Sequence, residues 1–408
     1  MPTKPARMPR ASRRTPMSLI GPAFVAAVAY VDPGNVAANI TAGARYGYLL
    51  VWVLVLANLM SVVVQYQSAK LGIVTGKSLP QILGERLGSA PRLLFWAQAE
   101  IVAAATDLAE IIGGALALNL LFDLPLIWGG IVISLVSLLL LAVQNDGKQK
   151  AFELIVIVLL AVITIGFLAG LVIHLPHLND VAHGLIPRFH GSESVLVAAS
   201  MLGATVMPHA IYLHSSLVND SYRGRKESTA QLLRASRVDV VWALLVAGLV
   251  NIGLLLLAAT ALPSIPGTET IQGAWIAIRN NLGSVIAVFF AVGLLTSSLA
   301  STSVGAYAGS EIMRGLLHKN FSLVTRRAIT VIPALVLLAL GIEPTWALVV
   351  SQVVLSLGIP CAIIPLFLCT RNRSLMGTFT DSRSTSIVCW VIAVLIIGLN
   401  VALLLMMF

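Results

Sequence analysis

Apolar stretches close to twenty residues long recur along the whole chain, and short polar segments separate them. A helix needs about 20 apolar residues to cross the hydrocarbon core of a bilayer. The pattern therefore predicts eleven membrane-spanning helices, the ninth of them short, with a break before the tenth at Gly341-Ile342-Glu343-Pro344. The predicted spans are residues 18–44, 48–72, 93–121, 125–143, 152–174, 194–218, 238–262, 284–312, 328–342, 344–370 and 386–407.

Composition supports an integral membrane protein. Of the 408 residues 58% are hydrophobic and only 11% are charged, which is too little charge to cover the surface of a soluble protein of this size. We expect residues 1–16, which are basic, to form a disordered cytoplasmic tail and residues 17–408 to form one transmembrane domain. Cys361, Cys369 and Cys389 lie in or beside apolar runs, so neither a disulfide framework nor a CxxC metal site is predicted.

The basic residues predict the orientation. With the N-terminus in the cytoplasm, all but three of the 26 lysines and arginines fall in cytoplasmic segments, the exceptions being Arg45, Arg188 and Arg279. Loops on the cytoplasmic side of membranes carry such an excess. Topology thus accounts for the net charge of +9 without a nucleic-acid partner. An odd number of spans then places the C-terminus outside, and the bare eleven-span form fits a bacterial inner membrane.

Two of the predicted spans are interrupted in the same way. The first is broken at Asp32-Pro33-Gly34-Asn35 and the sixth at Met207-Pro208-His209. An offset of 175 residues places Pro33 on Pro208, Asp32 on Met207, and Ala29 on Ala204. Proline removes a backbone donor, and matching broken helices in two halves point to a transporter site near the membrane midplane. A pair of simple proline kinks is the alternative.

The residues at the breaks predict a cation site. An unpaired carboxylate at Asp32 would be costly inside a membrane, so it needs a cation, a proton or a base. Asn35 adds an amide oxygen, and the breaks should free carbonyls near Ala29 and Ala204. A thioether at Met207 favours transition metals over Mg²⁺ and Ca²⁺, which prefer oxygen. Packing alone is the other role open to this methionine.

Three acids in the third span suggest a proton route. Glu100, Asp107 and Glu110 are seven and three residues apart, which places them on one face of a helix. Such a row inside a membrane is typical of a proton or ion path, and a static buried ion pair is the alternative. Arg326 and Arg327, at the start of the ninth span, could pair with these acids or simply anchor the span at the membrane surface.

Two histidines and two amides complete the set of buried polar candidates. His209 adjoins the sixth-span break, and its imidazole could link the cation site to the acids because imidazole titrates near physiological pH. His214, five residues later, faces another direction and is predicted to pack or to form a hydrogen bond. Asn251 and Gln352 could gate the site or cross-link helices.

Four motifs in this chain resemble those of the Nramp family, the natural resistance-associated macrophage proteins. They are Asp-Pro-Gly-Asn at 32–35, Thr-Asp-Leu-Ala-Glu at 106–110, Gly-Ala-Thr-Val-Met-Pro-His at 203–209 and Ser-Gln-Val-Val-Leu-Ser at 351–356. The chain looks like a bacterial manganese-transporting member of this family of proton-coupled transporters. One departure is Ala210, where the family usually has asparagine.

The resemblance implies a LeuT-type all-α fold. It would consist of two inverted five-helix repeats, at about 17–175 and 192–371, and an extra helix at about 386–407. The resemblance also implies that Asp107, Glu110 and the adjacent arginines form a proton exit. The metal ligands that it implies are Asp32, Asn35, Met207 and the carbonyls of Ala29 and Ala204, with Gln352 joining in some states.

These inferences predict a secondary importer of Mn²⁺, and also of Fe²⁺ and similar soft divalent ions, coupled to proton symport. The metal would be transported substrate, and no permanently bound cofactor or obligate protein partner is expected. The alternative is a sodium-coupled transporter of organic solutes with the same architecture. An intramembrane metal enzyme would need a cluster such as HExxH, and a primary pump would need an ATP-binding loop of the form GxxxxGK[ST]; the sequence contains neither.

Overall fold

The computed structural model describes residues 21–144, 149–262, 267–317 and 323–407, and all regular structure in these ranges is helical. The predicted tail at residues 1–16 lies outside them. The first half contains α1 (Pro22–Val28), α2 (Pro33–Tyr46), α3 (Val51–Thr75), α4 (Leu79–Arg86), α5 (Ser89–Phe122), α6 (Leu126–Gln144), α7 (Gln149–Ile173) and α8 (Leu178–Gly184). A 3₁₀ turn at Ala29–Val31 joins α1 to α2.

The second half repeats this order. It contains α9 (Gly191–Thr205), α10 (Pro208–Tyr222), α11 (Thr229–Ala261), α12 (Ile271–Leu282), α13 (Ser284–Leu317), α14 (Leu323–Ala339), α15 (Pro344–Arg371), α16 (Arg373–Met376) and α17 (Arg383–Met407). Two broken spans, α1–α2 and α9–α10, therefore each begin a set of five. The third span of the first set is α5 and that of the second set is α13, and each of these helices is 34 residues long.

Each of the eleven predicted spans coincides with a helix or a broken pair of helices. In the described ranges, eight segments are long and apolar enough to cross a membrane when α9 and α10 are taken together, and Pro22–Val31 and Leu126–Leu139 are shorter apolar segments. The main differences are at helix ends. For example, α11 begins at Thr229 instead of 238, because Ser228 and Gln231 form a capping box in the polar segment before the apolar run.

The expected separation of the ninth and tenth spans is present. Helix α14 ends at Ala339 and α15 begins at Pro344. Gly341 between them has a φ of +69°, a left-handed conformation that glycine adopts without steric cost. The Glu343 side chain then accepts hydrogen bonds from the amides of Thr345 and Trp346 and caps α15. The ninth helix is therefore short because a tight turn ends it.

Both broken spans restart at a proline. Pro33 is the first residue of α2, and Pro208 is the first residue of α10. A proline at the first helical position loses nothing, since that amide has no partner within the helix. The preceding residues, Asp32 and Met207, have extended backbones with ψ of 168° and 121°. The two halves of the chain therefore interrupt their first span by the same local mechanism.

The broken helices lie inside the bundle, where neighbouring backbones approach closely. A Cβ placed on Gly113 of α5 would be 2.1 Å from Cβ of Pro33, and one on Gly203 of α9 would be 2.2 Å from the carbonyl oxygen of Gln352. Small residues at such crossings permit tight packing of membrane helices. Helix α5 packs along α13, α2 along α11, and α15 against both α5 and α9, while α17 lies outside the two sets against α15.

Candidate functional site

Asp32 stands at the break of the first span with its carboxylate fully buried. Its Oδ1 accepts a hydrogen bond from the backbone amide of Asn35 at 2.8 Å and thereby caps α2. The Asn35 Nδ2 donates to the same oxygen, also at 2.8 Å. The extended backbone at residue 32 is what permits this capping geometry. A negative charge is therefore held at the N-terminal end of α2, which the helix dipole favours.

Asn35 also joins the two breaks. Its Nδ2 donates to the carbonyl oxygen of Ala204, near the end of α9, at 2.8 Å. With both bonds made by its nitrogen, its Oδ1 is buried and has no hydrogen-bond partner among the described residues. Buried acceptors without partners are rare in native proteins, because each one costs free energy unless a donor or a cation meets it. The Asn35 oxygen is therefore available to a cation between the breaks.

Gln352 of α15 closes the site from a third helix. Its Nε2 lies 3.4 Å from Oδ2 of Asp32, and its Oε1 is a second buried acceptor without a partner in the described part of the chain. The side chain occupies the space above Gly34, where a Cβ would be 1.6 Å from Nε2. Glycine at position 34 is therefore what allows α15 to reach the break.

The remaining predicted ligand residues lie at the same two breaks. Met207 is fully buried and precedes α10, and its side chain forms no cap hydrogen bond. Ala204 supplies the carbonyl that Asn35 contacts. Ala29 is buried in the 3₁₀ turn that leads to Asp32. The structure thus collects all six predicted residues at the two breaks and the facing segment of α15.

Other carbonyls freed by the breaks have partners from neighbouring helices. Asn251 of α11 donates to the Tyr30 oxygen at 2.7 Å and accepts from Asn39 at 2.9 Å. The hydroxyl of Ser297 on α13 donates to the Val31 oxygen. In the second broken span, Ser61 donates to the Thr205 oxygen at 2.9 Å. Asn251 therefore acts as a cross-link between α11 and both sides of the first break.

Replacement of Asn251 with alanine is expected to lower the free energy of unfolding by about 1–3 kcal/mol. The substitution leaves the Tyr30 carbonyl and the Asn39 amide buried without partners. Thermal unfolding of purified protein measures the effect. In a double-mutant cycle, Asn39→Ala should add little to Asn251→Ala, since both remove the same side-chain bond. Fully additive losses would contradict this pairing.

The acids of α5 form three ion pairs with the two arginines of α14. Arg327 contacts Asp107 and lies 3.3 Å from Oε2 of Glu110, and all three side chains are buried. Arg326 pairs with Glu100 at 2.9 Å. Arg327 also donates to hydroxyls on two other helices, those of Ser137 at 3.2 Å and Thr302 at 3.3 Å. The expected row of charges is therefore present.

His209 connects the second break to this row. Its ring is buried, and Nδ1 lies 3.3 Å from the hydroxyl of Thr106, the residue before Asp107. The acids keep further hydrogen-bonding capacity, because Oδ2 of Asp107 and Oε1 of Glu110 have no partner within the described ranges. A series of buried polar groups, His209, Thr106 and the charged cluster, thus lies between the second break and the arginines of α14.

His214 lies elsewhere, as its position on the helix predicts. Its Nδ1 is 2.8 Å from Oε1 of Gln65, whose Nε2 donates to the Tyr30 hydroxyl at 2.5 Å. Gln65 and Tyr30 are not among the residues predicted from the sequence, although an amide inside the second span was a visible signal. This chain of hydrogen bonds links α10 through α3 to the turn before Asp32.

Asp239 of α11 was overlooked as well. Its carboxylate oxygens accept from the amides of Gly21 at 3.2 Å and Ala23 at 2.9 Å, so it caps the start of α1 from a distant helix. An acid just inside the predicted span 238–262 was the available signal. The partner amides could not be inferred, because they lie more than 200 residues away.

The fold and the site define a class. An all-helical membrane protein with two matched broken helices, and a buried carboxylate and buried amide oxygens beside the breaks, has the architecture of a secondary transporter. The chain belongs to the Nramp family: the model of the family described as natural resistance-associated macrophage protein-like matches residues 23–406. This membership confirms the predicted class, a transporter and not an enzyme.

Curated relatives agree over nearly their full lengths. The divalent metal cation transporter MntH of Mycobacterium tuberculosis is 55% identical over 397 residues, covering 97% of this chain and 92% of the relative. The protein of the same name from Bacillus subtilis is 42% identical over 391 residues, covering 95% and 92%. The chain is therefore similar throughout to proteins named as metal transporters.

Solved structures support the fold. The Eremococcus coleocola manganese transporter matches with a TM-score of 0.85 and 30% identity, covering 96% of this chain and 87% of that one. Mhp1, a nucleobase-cation-symport-1 family transporter, matches with a TM-score of 0.57 at 15% identity, covering 95% and 91%, which is evidence on the fold alone. The predicted LeuT-type architecture is confirmed.

Proposed function

We propose that this protein imports Mn²⁺, and also Fe²⁺ and similar soft divalent ions, together with protons across a bacterial plasma membrane. Its N-terminus would be cytoplasmic and its C-terminus outside. The observation that carries the proposal is a pair of buried oxygens, Asn35 Oδ1 and Gln352 Oε1, beside the Asp32 carboxylate. Neither oxygen has a hydrogen-bond partner among the residues that the structure describes. Relatives named as divalent metal and manganese transporters support the choice of cargo.

The donor set suits a transition metal. The carboxylate of Asp32 supplies charge, and the amide oxygens of Asn35 and Gln352 supply neutral ligands. Carbonyls of Ala29 and Ala204 would complete the oxygen donors. Met207, buried at the same break, would add a polarisable sulfur, from which Mg²⁺ and Ca²⁺ gain little. The Met207 side chain would therefore select soft divalent ions over hard ones.

Proton coupling would follow from competition at Asp32. A carboxylate must lose its proton to bind metal, so metal and proton influence each other there. A released proton would pass by His209 and the neighbouring Thr106 to Asp107 and Glu110, and then toward Arg326 and Arg327. Rocking of the two halves about the breaks would expose the metal alternately to the two sides.

The test is Mn²⁺ uptake into proteoliposomes that contain a pH-sensitive dye, with excess Mg²⁺ and Ca²⁺ outside. Wild type should take up Mn²⁺ with internal acidification, and neither competitor should block it. Met207→Ala should lose this resistance to competition. Met201→Ala is the matched control, because Met201 is equally buried but lies within α9, one turn before its last residue.

Three other outcomes would revise the proposal. Uptake without acidification would keep the metal site and remove the proton coupling. Competition by Mg²⁺ and Ca²⁺ that is unchanged in Met207→Ala would remove the role of the sulfur. Absence of Mn²⁺ entry under an inward proton gradient would overturn metal import and favour a sodium-coupled transporter of organic solutes.

A further inference from the structure

A second site lies far from the breaks, in a groove of about 650 Å³ between the end of α15 and the first turns of α17. Arg371, the last residue of α15, and Arg383, the first residue of α17, stand at its polar end beside the hydroxyls of Ser382 and Ser386. The apolar wall is formed by Ile387, Trp390, Val391, Val394 and Leu395. The groove thus has a positively charged polar end and an apolar wall.

The polar end carries uncompensated positive charge. Both arginines are exposed, and neither has an ion-pair partner among the described residues. Asp381, which also lines the groove, is already neutralised by Lys70 at 2.5 Å and accepts two bonds from Gln67 at 3.1 Å. Its side chain is only 2% exposed. The end of the groove therefore presents two positive charges to an incoming anion.

The length of the apolar wall matches the depth of one membrane leaflet. Ile387, Val391, Val394 and Leu395 are 48–65% exposed and recur at helical spacing on one face of α17. Residues 386–395 span roughly 14 Å at about 1.5 Å per residue, close to half of the roughly 30 Å hydrocarbon thickness. The arginines then fall at the level of the lipid headgroups. An acyl chain fits this wall, whereas a soluble anion would leave it uncovered.

We propose that this groove binds an anionic glycerophospholipid, with the headgroup phosphate on Arg371 and Arg383 and an acyl chain along α17. Basic pockets beside membrane helices on the cytoplasmic side are suited to acidic headgroups. Arginine matches phosphate oxygens through paired N–H donors. The site is independent of the proposed metal transport. Because Asp381 joins the groove to Lys70 of α3, an occupied groove would also stabilise the contact of α17 with the first half of the chain.

Quenching of Trp390 by brominated lipids tests the proposal. Purified protein is placed in zwitterionic phosphatidylcholine vesicles that contain either brominated phosphatidylglycerol or brominated phosphatidylcholine. The difference in fluorescence between wild type and Trp390→Phe gives the emission of Trp390, which reports on the groove. We expect phosphatidylglycerol to be preferred by roughly fivefold per arginine, from the energy of one basic residue near an anionic surface.

Arginine variants decide the outcome. Arg371→Gln/Arg383→Gln should abolish the preference and Arg371→Lys/Arg383→Lys should keep part of it. Arg373→Gln should leave it intact, because Arg373 is exposed nearby but does not line the groove. Equal quenching by the two lipids in wild type would overturn headgroup recognition. Restoration of Trp390 fluorescence by millimolar inorganic phosphate would instead indicate a site for free phosphate and would overturn the lipid assignment.

Discussion

Replacement of Asp32 with asparagine is expected to abolish Mn²⁺ binding and uptake. Asp32 supplies the only carboxylate that the described residues place at the two breaks. Groups that merely orient metal ligands already contribute about 10- to 100-fold to affinity, so loss of the charged ligand should exceed about a hundredfold. Isothermal titration of purified protein with Mn²⁺ and proteoliposome uptake measure the two effects.

The fold should survive this substitution. An asparagine oxygen at position 32 can still accept the bonds from the amide and side chain of Asn35, and burial of a neutral group removes a desolvation cost. Thermal unfolding should therefore occur at or above the wild-type temperature. Asp123→Asn is the control, because Asp123 is exposed and its left-handed backbone suits asparagine equally well. Wild-type Mn²⁺ affinity in Asp32→Asn would exclude this carboxylate as a ligand.

Replacement of Arg327 with glutamine should lower the free energy of unfolding more than Asn251→Ala does. The change leaves Asp107 and Glu110 buried side by side without their cation. Breaking a buried ion pair by removing one partner costs about 3–5 kcal/mol. Thermal unfolding in detergent or nanodiscs measures this loss. Internal acidification during Mn²⁺ uptake should also fall if the cluster carries protons.

Two further variants identify the cause. Adding Asp107→Asn to Arg327→Gln should recover part of the stability, because it removes one of the two uncompensated charges. Arg326→Gln should cost less, since its partner Glu100 remains 21% exposed. An Arg327→Gln protein as stable as wild type would mean that the cluster is hydrated and does not depend on the pair. Normal acidification in a stable double variant would remove Arg327 from the proton route.

Much of the candidate site was accessible from the sequence because its signals are local. Proline at equivalent positions of two apolar runs determines where both spans restart, and the acid beside Pro33 needs a partner wherever it is buried. Helical spacing alone places Glu100, Asp107 and Glu110 on one face. The row of ion pairs with Arg326 and Arg327 then required only that α14 pack against α5, which the structure provides.

The parts that sequence did not predict depend on contacts between distant segments. Asn35 was expected to present its oxygen, but the bridge from its nitrogen to Ala204 depends on how α2 meets α9. The cap that Asp239 forms on α1 joins residues more than 200 positions apart. Helix ends also departed from the predicted spans, because capping residues outside the apolar run extend α11 beyond the membrane thickness.

The cap on α1 has a consequence for how the bundle can open at the end where this helix begins. Seven residues are far too few for a helix to persist by itself in water. The shape of α1 therefore depends on its neighbours α7, α10, α11 and α13, and Asp239 of α11 caps its first amides. Any movement that separates α1 from α11 leaves the Gly21 and Ala23 amides to be solvated or capped anew. Detachment of α1 is thus a local unfolding event as much as a rigid swing, and the strength of a single carboxylate cap would help to determine how often it occurs.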